Sequence, residues 1–444
     1  MARFAYYGLL ALQHRGQETC GAATWDKQLH RFSAPGLVDQ VFTESVLEKL
    51  PGWVACGAVT AVPEKEVGLI QPVSARTGVR LVLCTNGRVF NYRELAQKYD
   101  VPAWSDAQVL AEVLSRKLQQ SDPLEAVGEL HEEVVGTFSF VAITERGELI
   151  AARDPTGLKP LVIGSFGFDY GVIASESCAM DVIGADFKHD IEPGEAYLFT
   201  PYSIERKRFA EPNPRYCAFE YVYMARPDSI INGISVYEVR MRIGEKLAEE
   251  AAVEGADVVV GVPETAIPFA MAYANRTSTP IHMGFVRTGR RIRSAIKPTQ
   301  FERLVGVQLK LNPIRRAVAG KKIVIIDDSV VRGTTTKNTV NMLRNRLGVK
   351  EVHVRIGSPR LIAPCPFGVE VPARDELIAA HLTDEEVAAV TGADTFCWLS
   401  IEGLVEAIGT PREHLCLGCF TGQHIEVAQR GMEFLQELKE AVAG

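Results

Sequence analysis

Apolar positions change rhythm about halfway along the chain. In the first half, short apolar runs such as Val79 to Cys84, Phe138 to Ile143 and Leu149 to Ala152 are broken by Gly, Asp and Pro turns, which predicts strands with a few helices between them. The second half couples similar runs to longer helical patterns. Val236 to Glu250 has the spacing of an amphipathic helix, Val258 to Val262 reads as a buried strand, and a helix starts within Phe269 to Arg276. Ile323 to Ile326 is another buried run, followed by a helix pattern from Thr336 to Leu347 and a strand at Val352 to Ile356. Alternating strands and helices predict a parallel sheet, hence an α/β second domain. The turn-prone passage Glu211-Pro-Asn-Pro214, just after a strand pattern at Glu195 to Phe199, puts the division between residues 1–213 and 214–444.

A chain of 444 residues is too long for one typical core, which agrees with two domains. Apolar content of 47% and charged content of 23% are ordinary for a globular protein, and no run approaches the length of a membrane span or a secretory signal. This predicts a cytoplasmic protein with no membrane partner. The net charge of −7 argues against general nucleic-acid binding, although Arg287, Arg290, Arg291 and Arg293 form a basic cluster suited to the phosphates of a small ligand. The cysteines number nine and are scattered, which fits a reducing compartment with thiols or metal ligands better than a disulfide framework.

The most informative stretch is Lys322-Ile-Val-Ile-Ile-Asp-Asp-Ser-Val-Val-Arg-Gly-Thr-Thr-Thr336. It puts Asp327 and Asp328 at the carboxyl end of a buried strand, the edge where open α/β sheets bind ligands. The following loop, with Ser329, Arg332, Gly333, Thr334 and Thr335, would aim backbone N–H groups and hydroxyls at a phosphate near a helix N-terminus. The adjacent acids could then accept hydrogen bonds from ribose hydroxyls. This run resembles the phosphoribosylpyrophosphate (PRPP) signature of type I phosphoribosyltransferases.

Further runs narrow the resemblance. Tyr6-Tyr-Gly-Leu-Leu-Ala-Leu-Gln-His-Arg-Gly-Gln-Glu18, Ala152-Arg-Asp-Pro-Thr-Gly-Leu-Lys-Pro-Leu161, Ala174-Ser-Glu-Ser-Cys178 and Cys217-Ala-Phe-Glu-Tyr-Val-Tyr-Met-Ala-Arg-Pro-Asp-Ser229 together resemble the glutamine PRPP amidotransferase family across nearly the whole chain. The resemblance implies an N-terminal nucleophile (Ntn) hydrolase-like αββα sandwich joined to a type I phosphoribosyltransferase α/β domain. It implies magnesium at Thr265, Asp327 and Asp328, phosphate binding by Ser329, Arg332, Gly333, Thr334 and Thr335, and catalytic roles for Asp327, Asp328, Arg293 and Lys310. The family's flexible loop is rewritten here as Arg287-Thr-Gly-Arg-Arg-Ile-Arg-Ser294, keeping basic character and Arg293 but not the family pattern. Cys416-Leu-Gly-Cys419 taken alone could bind zinc, exchange disulfides or do nothing. With Cys217 and Cys365, however, it aligns with the positions that hold a [4Fe–4S] cluster in one branch of the family, where a structural role is implied.

The glutamine half departs from the family. The resemblance implies an opening Cys-Gly-Ile-Phe-Gly type strand whose cysteine attacks glutamine, whereas this sequence starts Met1-Ala-Arg-Phe, and Cys20 offers no α-amino group. The family's carboxylate-clamping arginine aligns with Ala58, which cannot make a bidentate ion pair. Asn86 and Gly87 match the oxyanion pair and Asp106 the acid that holds the substrate amine; read locally, they are a favoured turn and a favoured helix cap. The expectation is a homo-oligomeric, amidophosphoribosyltransferase-like enzyme of purine biosynthesis. It would form phosphoribosylamine from PRPP using free ammonia, or ammonia or another amine from a separate glutaminase. The alternatives are a regulatory paralogue that binds PRPP or nucleotides and pairs with a complete homologue, and a glutamine-using enzyme whose gene start is truncated.

Overall fold

The computed structural model describes residues 1–61, 67–167, 169–287 and 311–432. Strands β1 (Thr19–Trp25), β2 (Leu29–Pro35) and β3 (Val54–Thr60) form an antiparallel sheet in the order β2-β1-β3. A larger sheet begins with β4 (Val73–Ala75), β5 (Leu81–Val89), β6 (Gly136–Thr144) and β7 (Leu149–Arg153). After a small sheet of β8 (Val162–Phe166), β9 (Tyr170–Ala174) and β10 (Asp186–Asp190), β11 (Glu195–Phe199) and β12 (Ile204–Arg208) complete the larger one in the order β12-β11-β7-β6-β5-β4.

Alternation along β5 assigns the two faces of this sheet. Leu81 and Leu83 join Phe138 and Phe140 under the helices Asp106–Lys117 and Pro123–Glu133, while Val82 and Cys84 point at Ala23 and Cys56 of the facing sheet. The opposite face of β1 packs Cys20 and Ala22 against the helix Ala2–Ala11. The first half is therefore an αββα sandwich. Its helices start where their caps dictate: Ser105 Oγ accepts from Gln108 N at 3.1 Å, and Asp122 accepts from Leu124 N at 3.0 Å ahead of Pro123.

β5 runs past its expected end at Cys84. Asn86 and Gly87 are not a hairpin turn but lie within the strand, opposite Ser139 and Phe138 of β6. Close approach of the neighbouring strand is the reason, because Gly87 has φ +148° and a Cβ there would come within 2.2 Å of the Thr137 carbonyl oxygen.

In the second half, β13 (Tyr216–Cys217) and a short hairpin of β14 (Ile230–Ile231) and β15 (Ile234–Ser235) precede the main sheet. That sheet contains β16 (Val258–Gly261); β17 (Phe285–Val286) and β18 (Asn312–Pro313) pair beside it, and β19 (Lys322–Asp327), β20 (Glu351–Ile356) and β21 (Thr395–Trp398) complete it, all parallel, in the order β16-β19-β20-β21. Both faces are covered, so the strands read as continuous apolar runs. Val259, Val324 and Ile326 pack under the helices Val236–Ala251 and Ile267–Thr277, and Val258, Val260, Ile323 and Ile325 pack under Thr334–Leu347 and Asp384–Thr391. β22 (Leu415–Cys416) returns to pair in parallel with β13, bringing Cys416 opposite Cys217. Among the described residues no helix is long and apolar enough to cross a membrane.

Buried charge ties the halves together. Arg15 reaches Glu176 at 2.6 Å within the first half and Glu220 of the second at 2.7 Å, with all three side chains almost fully enclosed. Glu176 also receives Ser229 Oγ at 2.7 Å, the Arg226 backbone N–H at 2.8 Å and His14 Nε2 at 2.7 Å. Burial alone would push the Glu176 carboxyl up, yet Arg15 and His14 hold it well below the ordinary carboxylate range. Nearby, Arg153 donates to Asn232 Oδ1 at 2.7 Å, and Asp190 accepts from the backbone of Asn232 and Gly233 at 2.6 and 2.8 Å. Removing Arg15 would strand two buried carboxylates. Arg15→Met should therefore destabilise the protein by about 3–5 kcal/mol, seen as a lower urea midpoint, and neutralising both partners in Arg15→Met/Glu176→Gln/Glu220→Gln should recover part of the loss. Equal midpoints for wild type and Arg15→Met would count against this.

Candidate functional site

The carboxyl edge of the parallel sheet brings the sequence-predicted acids together. Asp327 ends β19 and Asp328 follows it, with Asp328 N donating to Asp327 Oδ1 at 2.9 Å. Their backbones are pinned by the chain after β20: Gly357 N donates to Asp327 O and Ser358 N to Asp328 O, each at 2.9 Å. Neither carboxylate pairs with a cation among the described residues. Burial, and then the adjacent Asp328 charge, push the Asp327 carboxyl well above its ordinary range. Burial pushes Asp328 up to about 6, against the opposing pull of Ser329, Arg240 and Thr265. Two crowded acids of this kind, facing a sheet edge, suit a hard divalent cation or the hydroxyls of a sugar.

The surroundings fit that purpose. Ser329 Oγ donates to Asp328 Oδ1 at 2.7 Å, and Thr265, on the loop after β16, lies against the same carboxyl. Gly333 closes the loop with φ +72°, where a Cβ would come within 2.7 Å of Ile378 Cδ1. The helix Thr334–Leu347 then starts with no side chain capping its first turn, and Thr334 and Thr335 are exposed there. Its open N–H groups and the positive end of its dipole face outward as an anion site. Arg332 is exposed beside this turn and donates from Nε to Glu376 at 2.7 Å. The expected catalytic residues Arg293 and Lys310 lie outside the described residues.

Sequence reasoning missed Arg240. It sits in the apolar stripe of the helix Val236–Ala251, among Val236, Val239, Ile243 and Leu247, and is buried. Its Nε donates to Tyr221 O at 3.0 Å and its Nη2 to Ala225 O at 2.7 Å. Burial lowers its pKa to about 10, while the charges of Asp328 and Glu176 pull the other way, so it stands between the carboxylate pair and the ionic contacts joining the two halves. A charged residue at a core position of an amphipathic pattern was the available signal.

The predicted thiols also converge. Cys217, Cys365, Cys416 and Cys419 line one cavity together with Leu158, Phe219, Phe367, Val369, Val371, Lys159 and His424. Burial pushes the Cys217 thiol up to about 12 and raises Cys416 and Cys419 as well. Four thiols lining one cavity are the donor set that an iron–sulfur cluster requires. Among the described residues no group of three or more His, Cys, Asp or Glu is placed to hold a metal ion.

The glutamine-site matches lie in the first half. Asn86 and Gly87 are embedded in β5, and Asp106 opens the helix Asp106–Lys117, its Oδ2 accepting from Val89 N at 3.2 Å and its Oδ1 from Ala107 N at 3.0 Å. Ala58 borders the apolar cluster of Ala23, Cys56, Val82, Cys84 and Ile143 between the sheets.

Known proteins resemble both halves of the chain. Residues 61–181 match the family described as glutamine amidotransferase domain, and residues 235–356 match phosphoribosyl transferase domain. Amidophosphoribosyltransferase of Methanocaldococcus jannaschii is 40% identical over 450 residues, covering 96% of this chain and 94% of the relative. The Bacillus subtilis enzyme of the same name is 39% identical, covering 99% and 94%. Among solved structures, glutamine PRPP amidotransferase from B. subtilis complexed with ADP and GMP superposes with a TM-score of 0.87 at 38% identity, covering 95% of this chain and 94% of that one. Full-length similarity at this level, carried by both halves, means that the chain belongs to the amidophosphoribosyltransferase family.

Proposed function

We propose that this chain is a pentosyltransferase of purine biosynthesis that forms 5-phosphoribosylamine from PRPP, with ammonia taken free or delivered by a separate protein. Residues 1–213 and 214–444 are its two domains. The observation that carries the reading is the crowded pair Asp327 and Asp328 at the sheet edge, beside Thr265 and the uncapped start of the helix Thr334–Leu347. Departure of pyrophosphate from the anomeric carbon builds positive charge on the ribose ring, and fixed carboxylates are suited to meet it. Ser329, Arg332, Gly333, Thr334 and Thr335 bind phosphate oxygens in this reading, and Arg293 and Lys310 keep the catalytic roles that the family resemblance implies. Asp327, Asp328 and Thr265 would hold magnesium, which when bound would neutralise charge on the departing pyrophosphate.

The glutaminase half is inactive in this reading. Its support is Ala58, where the family has a carboxylate clamp, at the border of an apolar cluster, together with the commitment of Asp106 to backbone N–H groups. The four cysteines hold a [4Fe–4S] cluster in this reading, which is supported by the cavity they share. The cluster is structural, since transfer of ammonia to a sugar needs no electron carrier.

Asp327→Asn separates binding from stability. It should weaken magnesium-dependent PRPP binding by about tenfold or more in calorimetry, roughly 1.4 kcal/mol. In magnesium-free buffer at pH 7–8 the same change should raise Tm by about 2–4 °C, because it removes a carboxylate whose ionisation the fold opposes. The folded-state pKa of Asp327 is raised, so its ionisation destabilises the fold above the ordinary carboxylate range. The Tm advantage should disappear below about pH 4, where the carboxyl is protonated in both states. Unchanged PRPP affinity would remove the pair from the site.

Ammonia should replace glutamine. Pyrophosphate release should require PRPP and magnesium, rise with pH as ammonium loses its proton, and fall in Asp327→Asn, while no glutamate forms from glutamine. Thiol-reagent-sensitive glutamate release would refute the glutaminase assignment, and ammonia-dependent release no faster than in Asp327→Asn would refute the transferase assignment.

A further inference from the structure

The thiol-lined cavity is built by both halves of the chain. Its cysteines all belong to the second half, but Leu158 and Lys159 come from the first. Lys159 is 3% exposed, an unusual place for an ammonium group. It is held there by its backbone: Lys159 O accepts from Ser139 Oγ at 2.9 Å and from Arg153 Nε at 3.0 Å, and Leu158 O accepts from Cys217 N at 3.3 Å. Its Nζ is 4.0 Å from Glu220 Oε1, a long contact, and Glu220 is already paired with Arg15 at 2.7 Å. The acid that would neutralise Lys159 is thus shared. His424 also lines the cavity.

We propose that Lys159 is a positioning residue of the four-cysteine cage, supplying the buried positive charge that stabilises its occupied, net anionic state, so that docking of the first half and retention of the iron–sulfur group support each other. This rests on the cluster reading above. Four thiolates in an apolar cavity are untenable without nearby cations, and the group they hold remains negative overall once loaded. With the glutamine pocket eroded, this gives the first half a function of its own, as the wall and counter-charge of a site in the second.

The test uses the full chain, reconstituted anaerobically with ferrous iron and sulfide, as wild type, Lys159→Met and Lys159→Arg. Lys159→Met should lose iron to a chelator about tenfold faster or more, the scale expected for an outer-shell partner of a metal site. Its reduction potential should move to more negative values, because removing a buried cation disfavours adding an electron. Lys159→Arg should restore both, which a merely space-filling role would not do. If Lys159→Met folds poorly, Lys159→Gln carries the same comparison. Wild type that loads iron, with a charge-removing variant matching it in iron loss and potential, overturns the inference alone; wild type that takes up no iron overturns the cluster reading and the inference with it.

Discussion

Two adjacent carboxylates at the end of a buried strand are electrostatically unfavourable, and much of the second half is arranged around keeping them there. Burial pushes both Asp327 and Asp328 toward protonation, the Asp328 charge adds to this at Asp327, and no salt bridge relieves them among the described residues. Their geometry survives because the backbone is over-determined: β19 lies between β16 and β20, and the N–H groups of Gly357 and Ser358 fix the two carbonyls. Rigid surroundings can hold such a group in an unfavourable state, and a site that keeps strain of this kind is prepared for a ligand that relieves it.

A second layer of buried charge answers the first. Arg240 donates to backbone carbonyls and feels both Asp328 and Glu176, and Glu176 is in turn held by Arg15, which also binds Glu220. Lys159 extends this set from Glu220 to the thiol cavity. Buried ions contribute little net stability when complete, but removing one member leaves its partner uncompensated in a low-dielectric interior. The two halves are therefore coupled by charge as well as by apolar packing.

In the first half the residues that match a glutamine site also serve the sandwich itself. Gly87 is required by the approach of β6, and Asp106 secures the start of a helix and the end of β5. Residues that match a binding motif can be retained for such reasons alone. Their presence says little about catalysis without the partners that would complete the site.

The sequence by itself determined the main strand and helix pattern of the second half and the placement of Asp327 and Asp328 at a strand's end. These follow from local rules: period-2 and period-3.6 burial, glycine where backbone must turn, and a motif contiguous in the chain. The grouping of Cys217 and Cys365 with Cys416 and Cys419 came instead from the family resemblance, since nothing local links them. Only the tertiary structure decided that Asn86 and Gly87 lie inside a strand and not at a turn, because the deciding contact is with Thr137, some fifty residues away. Only it brought Arg240 between Asp328 and Glu176 and Lys159 to the cysteines, since a buried charge is explained by groups that are close in space and distant in sequence, and local patterning carries no information about them.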